Sequence, residues 1–296
     1  MRAVTLFAPA KVNLYLGVGA LRPDGYHEVT TVLQALEFGD TVRILPADEL
    51  VISTSVDLGI PSHANLAYQA ALAFAEEFSV APRAIIEIEK HVPVGAGLAG
   101  GSSDAAAVIV GLARIHAIDP RSERCIDVAR GLGADCAFFV TGGAALMSGR
   151  GDRLEASLPS AVAHVALVKP LAPVSTAAAY TRFDRAPLPA PGPQHVVEAL
   201  KAGDLSRLAA SLTNNLTSAS ASLVPEVLDA LAWVGSQPGV LAAAMAGSGS
   251  ATFALCEDPA VAILVAEGAR SRGWWSTATT TRATGVAITD EDEGSE

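Results

Sequence analysis

With 296 residues, half of them hydrophobic and 17% charged, the chain is long enough for two domains, and disorder is excluded for its bulk. Its 31 acidic residues against 20 basic ones give a net charge of -11, and no Lys/Arg cluster stands ready to replace phosphate counterions, which argues against a nucleic-acid partner. Cys125, Cys136 and Cys256 fit neither a zinc site nor a disulfide framework and read as buried thiols of a reducing cytoplasm.

Arg2 followed by Val4 to Ala10 faintly resembles a signal peptide, but the apolar stretch is short and Lys11 and Asn13 interrupt it. No run of about 18 apolar residues occurs, so no membrane partner and a cytoplasmic location are expected. Thr5 to Gly19 alternates as a strand with a break expected at Pro9, and Arg22-Pro23-Asp24-Gly25 is a turn. Val29 to Leu36, Thr41 to Leu45 and Val51 to Thr54 read as strands, and Asn65 to Phe78 as a helix with Asn65 as N-cap. Ala84 to Val92 is a strand, followed by a glycine-rich loop and an Ala/Val-rich helix to about Ile115. A helix over Ser122 to Leu132 follows, and Phe138 to Met147 reads as strand, broken by Gly142-Gly143. The best boundary lies near Leu154 to Pro159, giving domains 1–156 and 157–288. Beyond it come a strand at Val165 to Val168, a proline-rich loop at Arg185 to Pro193, and helices at Val196 to Lys201, Leu205 to Leu212 and Val224 to Val234. Leu241 to Leu255 is strand, glycine loop, strand; Pro259 to Arg270 is a helix, and Thr277 to Ile288 a last strand. The acidic tail, 289–296, is expected to be disordered.

The chemistry concentrates in the loop Pro93, Val94, Gly95, Ala96, Gly97, Leu98, Ala99, Gly100, Gly101 and the Ser102-Ser103-Asp104 that opens the next helix. Its glycines let the backbone curl and turn N–H groups toward a ligand, and the helix start adds unpaired N–H groups and a positive dipole end. Together these suit phosphate. Gly95 to Gly100 also spells G-x-G-x-x-G, but the loop lies after several strands and no acidic ribose ligand follows about 20 residues on. A Walker loop is excluded because no Gly-Lys-Ser/Thr follows. The plain alternative is a glycine turn with Ser102 or Ser103 as helix cap.

The stretch Pro93 to Ala106 resembles the phosphate loop of the GHMP kinases, which include galactokinase, homoserine kinase and mevalonate kinase. Four more blocks carry the same resemblance: Ala8 to Leu14, Arg22 to His27, Gly133 to Phe139, and Ala246 to Phe253. They span most of the chain, and the double-glycine loop with the Asp-Gly-Tyr-His block points to the branch acting on a cytidine diphosphate alditol in the non-mevalonate isoprenoid route. The resemblance implies an α+β, two-domain fold: a ribosomal-protein-like N-terminal α/β domain and a ferredoxin-like C-terminal domain. It implies ATP as co-substrate with Mg²⁺, and a small-molecule acceptor in the cleft between the domains.

The resemblance also assigns roles. Asp135, in an otherwise apolar block, would take the hydroxyl proton; a carboxylate there must be paired or functional, and capping or an ion pair is the bland alternative. Lys11, out of pattern in an apolar strand, would sit beside it and stabilise the developing alkoxide. Asn13, on the same strand face, is a candidate acceptor contact. Tyr26, His27 and Tyr180 would read and stack a cytosine, as proteins read unstacked bases; core packing is the alternative for Tyr180. Asn65 and Lys90 are candidate ATP contacts, or else a helix cap and a strand-face lysine. Ligands for Mg²⁺ are not legible in the sequence, and the chain is expected as a monomer or homodimer. Open alternatives are a homoserine- or mevalonate-type kinase, a diphosphomevalonate decarboxylase, a non-catalytic nucleotide-binding regulator and an NAD-dependent oxidoreductase.

Overall fold

The computed structural model of the protein describes residues 3–291. Strand β1 (Val4–Leu21) is buried almost continuously from Ala8 to Val18, as a strand covered on both faces must be. It pairs antiparallel along nearly its whole length with β2 (His27–Leu45). Pro9 cannot donate to the ladder, and the register shifts between Pro9 and Lys11. The expected break is thus a bulge, and the two strands expected between Val29 and Leu45 are one. A Cβ on Gly39 would lie 2.1 Å from the carbonyl oxygen of Ala8, so the strands approach there as only glycine allows.

Next come β3 (Leu50–Thr54), α1 (Leu66–Phe78), β4 (Ala84–Glu89), α2 (Gly100–Ile115), α3 (Glu123–Leu132) and α4 (Cys136–Thr141). The hairpin β5 (Ala144–Ser148) and β6 (Arg153–Leu158) closes this half; β5 extends the sheet on β2, and β6 occupies most of the stretch expected to hold the domain boundary. The sheet runs β12-β1-β2-β4-β3 along its main path, where β12 (Ala287–Glu291) is the last strand of the chain. Helix α4 corrects the strand expected from Phe138. Cys136 to Val140 are all buried, and a short segment apolar on every side carries neither a helical nor a strand period. Gly142 and Gly143, both at positive φ, end it and start β5.

The second half holds β7 (His164–Lys169), α5 (Thr176–Arg185), α6 (Gln194–Ala202), α7 (Leu205–Ser211), β8 (Thr213–Asn214), α8 (Thr217–Leu223), α9 (Glu226–Gly235), β9 (Val240–Met245), β10 (Thr252–Cys256), α10 (Pro259–Ser271) and β11 (Trp275–Thr280). Its antiparallel sheet has the order β11-β7-β10-β9, and α9 and α10 pack on it. Counting strands within this sheet, the order is 4-1-3-2 with a helix in each crossover: a ferredoxin-like split βαβ. The last strand expected from Thr277 divides into β11 and β12. The acidic tail expected to be disordered begins within β12 instead: Asp290 and Glu291 pair with Thr5 and Val4 of β1, and Arg114 makes a two-point ion pair with Glu291. Residues 292–296 lie outside the described residues.

A core of β1, β2, β4 and helices α1 to α4 fills the first half. A second core crosses between the sheets, joining Val12, Leu14, Ala96 and Leu98 to Val165, Leu167, Ala246 and Phe253. This shared core fixes the phosphate-type loop against the second half.

Candidate active site

Between the halves lies a cavity of about 530 Å³, walled by β1, the loop 93–101, the start of α2, and residues from α5 and the loop after β9. The loop is shaped by Gly95 (φ +65) and Gly97 (φ +77), and α2 starts at Gly100 after Ala99, itself at φ +58. Helix α2 therefore begins two residues before the serines, and its first turn is Gly100-Gly101. Nothing lies within 4 Å of where a Cβ of Gly101 would be, and Gly100, Gly101 and Ser102, whose N–H groups precede the first turn of a 16-residue helix, all line the cavity. Gly97 also serves a contact between loops. A Cβ there would lie 2.1 Å from the carbonyl oxygen of Ala246, so the two glycine loops touch backbone to backbone.

Lys11 and Asp135 meet at the cavity floor. Lys11 Nζ lies 3.6 Å from Asp135 Oδ2, the lysine side chain buried and the aspartate 29% exposed. Asp135 stands at the N-terminus of α4 but its side chain makes no capping bond, so its carboxylate faces the cavity uncommitted except to Lys11. Lys11 Nζ also donates to Asn13 Oδ1 at 2.9 Å, and Gly247 N donates to the same oxygen at 2.9 Å. Asn13 Nδ2 donates to Thr31 Oγ1, which donates on to the Tyr15 carbonyl. Asn13 lines the cavity, but its carbonyl is fully used in orienting the lysine and holding the second glycine loop.

The other expected residues divide. Asn65 caps α1, its Oδ1 accepting from Ala67 N at 2.9 Å, and it also lines the cavity. Ser102 lines the cavity; Ser103 does not, and its hydroxyl is buried without a partner. Lys90 reaches the cavity, but its ammonium is bound between two buried carboxylates, Asp40 and Asp104, the latter at 2.6 Å. Burial works to lower the Lys90 ammonium and the two carboxylates outweigh it, leaving it raised. Burial pushes the Asp104 carboxyl up to about 7, against the pull of Lys90. Asp40 Oδ1 also accepts from the backbone N–H groups of His91 and Val92, where the loop begins. The trio thus forms a charged footing beneath the loop.

Tyr180, on α5, lines the cavity, and burial and then the charge of Asp135 push its hydroxyl up to about 12. Its ring centroid lies 5.1 Å from that of His27. Tyr26 is exposed beside the cavity, with the Arg150 guanidinium 5.0 Å from its ring centroid. The three rings therefore gather at one rim from both halves, Tyr26 and His27 outside the cavity and Tyr180 in its wall. Sequence reasoning missed Arg150, Asp40, Thr176 and Ser248. Arg150 stands between two glycines at positive φ, a legible turn signal; Asp40 follows Phe38-Gly39 in an apolar strand, the same out-of-pattern charge that drew attention to Lys11. Thr176 and Ser248 stand hydroxyl to hydroxyl at 2.8 Å in the cavity wall; Ser248 lies in the glycine-rich block Ala246 to Phe253, whereas Thr176 gave no signal. Among the described residues no three His, Cys, Asp or Glu side chains form a metal cluster, and no helix is long and apolar enough to cross a membrane.

Residues 65–143 match the GHMP kinases N terminal domain, and residues 196–273 match the GHMP kinases C terminal family. The chain is 40% identical over 271 residues to a 4-diphosphocytidyl-2-C-methyl-D-erythritol kinase of Nocardia farcinica, covering 89% of this chain and 88% of that one. It is 39% identical over 272 residues to the kinase of the same name from Rhodococcus jostii, covering 89% and 87%. It is also similar to a crystal structure of 4-(cytidine 5'-diphospho)-2C-methyl-D-erythritol kinase, with a TM-score of 0.79 at 32% identity, covering 94% of this chain and 98% of that one.

Proposed function

The chain belongs to the 4-diphosphocytidyl-2-C-methyl-D-erythritol kinases, within the GHMP kinases, and from that premise we propose that it moves the γ-phosphoryl of ATP to the 2-hydroxyl of that cytidine diphosphate alditol. The observation that carries the reading is the Lys11–Asp135 pair, 3.6 Å apart in the wall of the same cavity that a helix start of bare glycine backbone lines.

In this reading the N–H groups of the loop and of the α2 start bind the phosphates of ATP, and Asn65 contributes its amide Nδ2. Asp135 accepts the proton of the attacking hydroxyl, since a carboxylate held clear of capping bonds is free to do so. Lys11, oriented by Asn13, neutralises charge on the alkoxide as it forms and on the phosphoryl as it leaves ADP. Mg²⁺ would supply further neutralisation of the phosphates. The chain offers it few ligands: Ser102 at the α2 start would be one, Asp104 is engaged with Lys90, and the ion would rest mainly on phosphate and water. Tyr26, His27 and Tyr180 hold the cytosine, placing the alditol toward Lys11. The lobes 1–156 and 157–288, working as a monomer or homodimer in the cytoplasm, are part of this proposal.

Steady-state phosphorylation of the cytidine diphosphate alditol, bare methylerythritol phosphate, homoserine and mevalonate, each with ATP, tests the reading. Turnover of the cytidine acceptor far above the other three is expected. Equal efficiency on the bare alditol phosphate, or robust turnover of homoserine or mevalonate, overturns the acceptor.

A further inference from the structure

Asp184 lies on the last turn of α5, outside every motif that the sequence offers. Its Oδ1 lies 2.6 Å from Nε2 of His27, across the junction between α5 and the start of β2. The His27 side chain is 5% exposed and the Asp184 side chain 46%. The imidazole is boxed in by Tyr180 at 5.1 Å and by Phe183, edge-on at 6.3 Å. An ionised carboxylate can only accept a hydrogen bond, so Nε2 must carry the proton. In the neutral ring that leaves Nδ1 as a bare acceptor. Among the described residues no hydrogen bond occupies Nδ1, and it is not one of their fully buried orphaned atoms, which are Ser103 Oγ and Asp104 Oδ1. It therefore keeps some exposure to solvent, on a ring that lies against Tyr180 of the cavity wall.

We infer that Asp184 is a positioning residue that makes the enzyme choose cytosine over uracil, by locking His27 in the Nε2–H tautomer with Nδ1 turned to the exocyclic amino group of the base. The inference rests on the cytidine reading of the acceptor. Cytosine carries an amino donor at the position where uracil carries a carbonyl oxygen. A bare Nδ1 accepts from the first and meets the second lone pair to lone pair. An unlocked imidazole would lose this preference, since the Nδ1–H tautomer donates to a carbonyl as readily. A site built to complement one hydrogen-bonding group rejects the analogue that leaves its buried atoms unpaired.

The test compares Asp184→Asn, Asp184→Ala and Asp184→Glu with the parent on cytidine and uridine diphosphate acceptors. The amide of Asn can donate or accept and so imposes no tautomer. The ratio of kcat/KM for cytidine over uridine should fall about tenfold in the Asn and Ala variants, one hydrogen bond's worth. The KM of ATP and the melting temperature should hold, and Glu should recover part of the ratio. In the isotope-labelled full chain, long-range ¹H–¹⁵N correlation above the ordinary imidazole range should find His27 protonated at Nε2, and mixed in the Asn variant. An unchanged ratio with brisk cytidine turnover, equal losses on both acceptors, or an Nδ1–H tautomer in the parent overturns the role of Asp184. Turnover of neither acceptor overturns the cytidine reading and with it this role.

Discussion

At the scale of single residues, the site is a set of charges placed where an apolar sequence would not carry them. Asp135, Lys11, Asp40 and Lys90 each break a hydrophobic pattern, and the structure gives each a partner. Asp135→Asn keeps the shape of the side chain and removes its ability to take a proton. Turnover should fall by about 10² to 10⁴-fold with ATP affinity and melting temperature retained; steady-state kinetics showing near-parent turnover would remove Asp135 from the chemistry. Asp104 gives a prediction of different sign. Burial raises its carboxyl above the ordinary range to about 7 in the folded protein, so the folded state binds its proton more tightly than the unfolded chain. The stability it contributes is present in acid and is lost as pH rises from the carboxylate range of about 4 toward about 7. Asp104→Asn, whose carbonyl can still accept from Lys90, should raise the melting temperature most above that window and least at its acid end. Thermal denaturation at both ends checks this, and an equal shift at the two would contradict it.

At the scale of elements, the loop 93–101 is less a loop than the first half of a clasp. Gly97 was legible as a glycine needing positive φ, because four glycines in seven residues announce a backbone ligand site. Its contact with the carbonyl of Ala246 was not legible, since nothing in either segment codes for a neighbour about 150 residues away. Gly97→Ala should therefore do two things: weaken ATP binding, and lower stability by about 1–3 kcal/mol because two backbones must part. Titration of ATP together with urea denaturation separates these effects, and a variant of native stability would show that the loops part without cost. The strand β1 and helices α1, α2 and α10 were legible because a long period or a cap marks them. The short helix α4 was not, because five buried residues in succession have no period to read. Helices α5 and α8 were missed because their alanine, serine and threonine content carries little apolar contrast. So Tyr180 could be singled out only through the family resemblance, while Asp184, four residues on, could not be linked to His27.

At the scale of the whole molecule, the two lobes suggested by the chain's length do not behave as two cores with a linker. The strand β12 returns from the end of the second lobe to pair with β1, and β8 adds to the same strand in parallel. Buried Gln34 donates through Nε2 to the carbonyls of Gly143 and Arg282 and accepts at Oε1 from Ala161 N, so one side chain of β2 holds three crossing segments. Asn13 does the same at the site, holding Lys11 from one lobe and Gly247 from the other. Independent domains share few contacts and unfold separately; lobes that share strands and a buried core should unfold as one unit. Chemical denaturation can decide, because all three tryptophans, Trp233, Trp274 and Trp275, lie in the second lobe. Their fluorescence reports that lobe, while far-ultraviolet circular dichroism reports both. The two curves should coincide, with a single midpoint that ATP shifts for both probes. Gln34→Leu removes four hydrogen bonds and leaves the buried Ala161 N–H unpaired, while the Gly143 and Arg282 carbonyls keep only Ala35 N and Ser160 Oγ, so it should lower that common midpoint by the cost of a buried unsatisfied group, about 1–3 kcal/mol. If the fluorescence curve instead separates from the dichroism curve in the parent protein, the lobes are independent, and the Asn13–Gly247 contact beside Lys11 would then depend on a docking equilibrium rather than on a single folded unit.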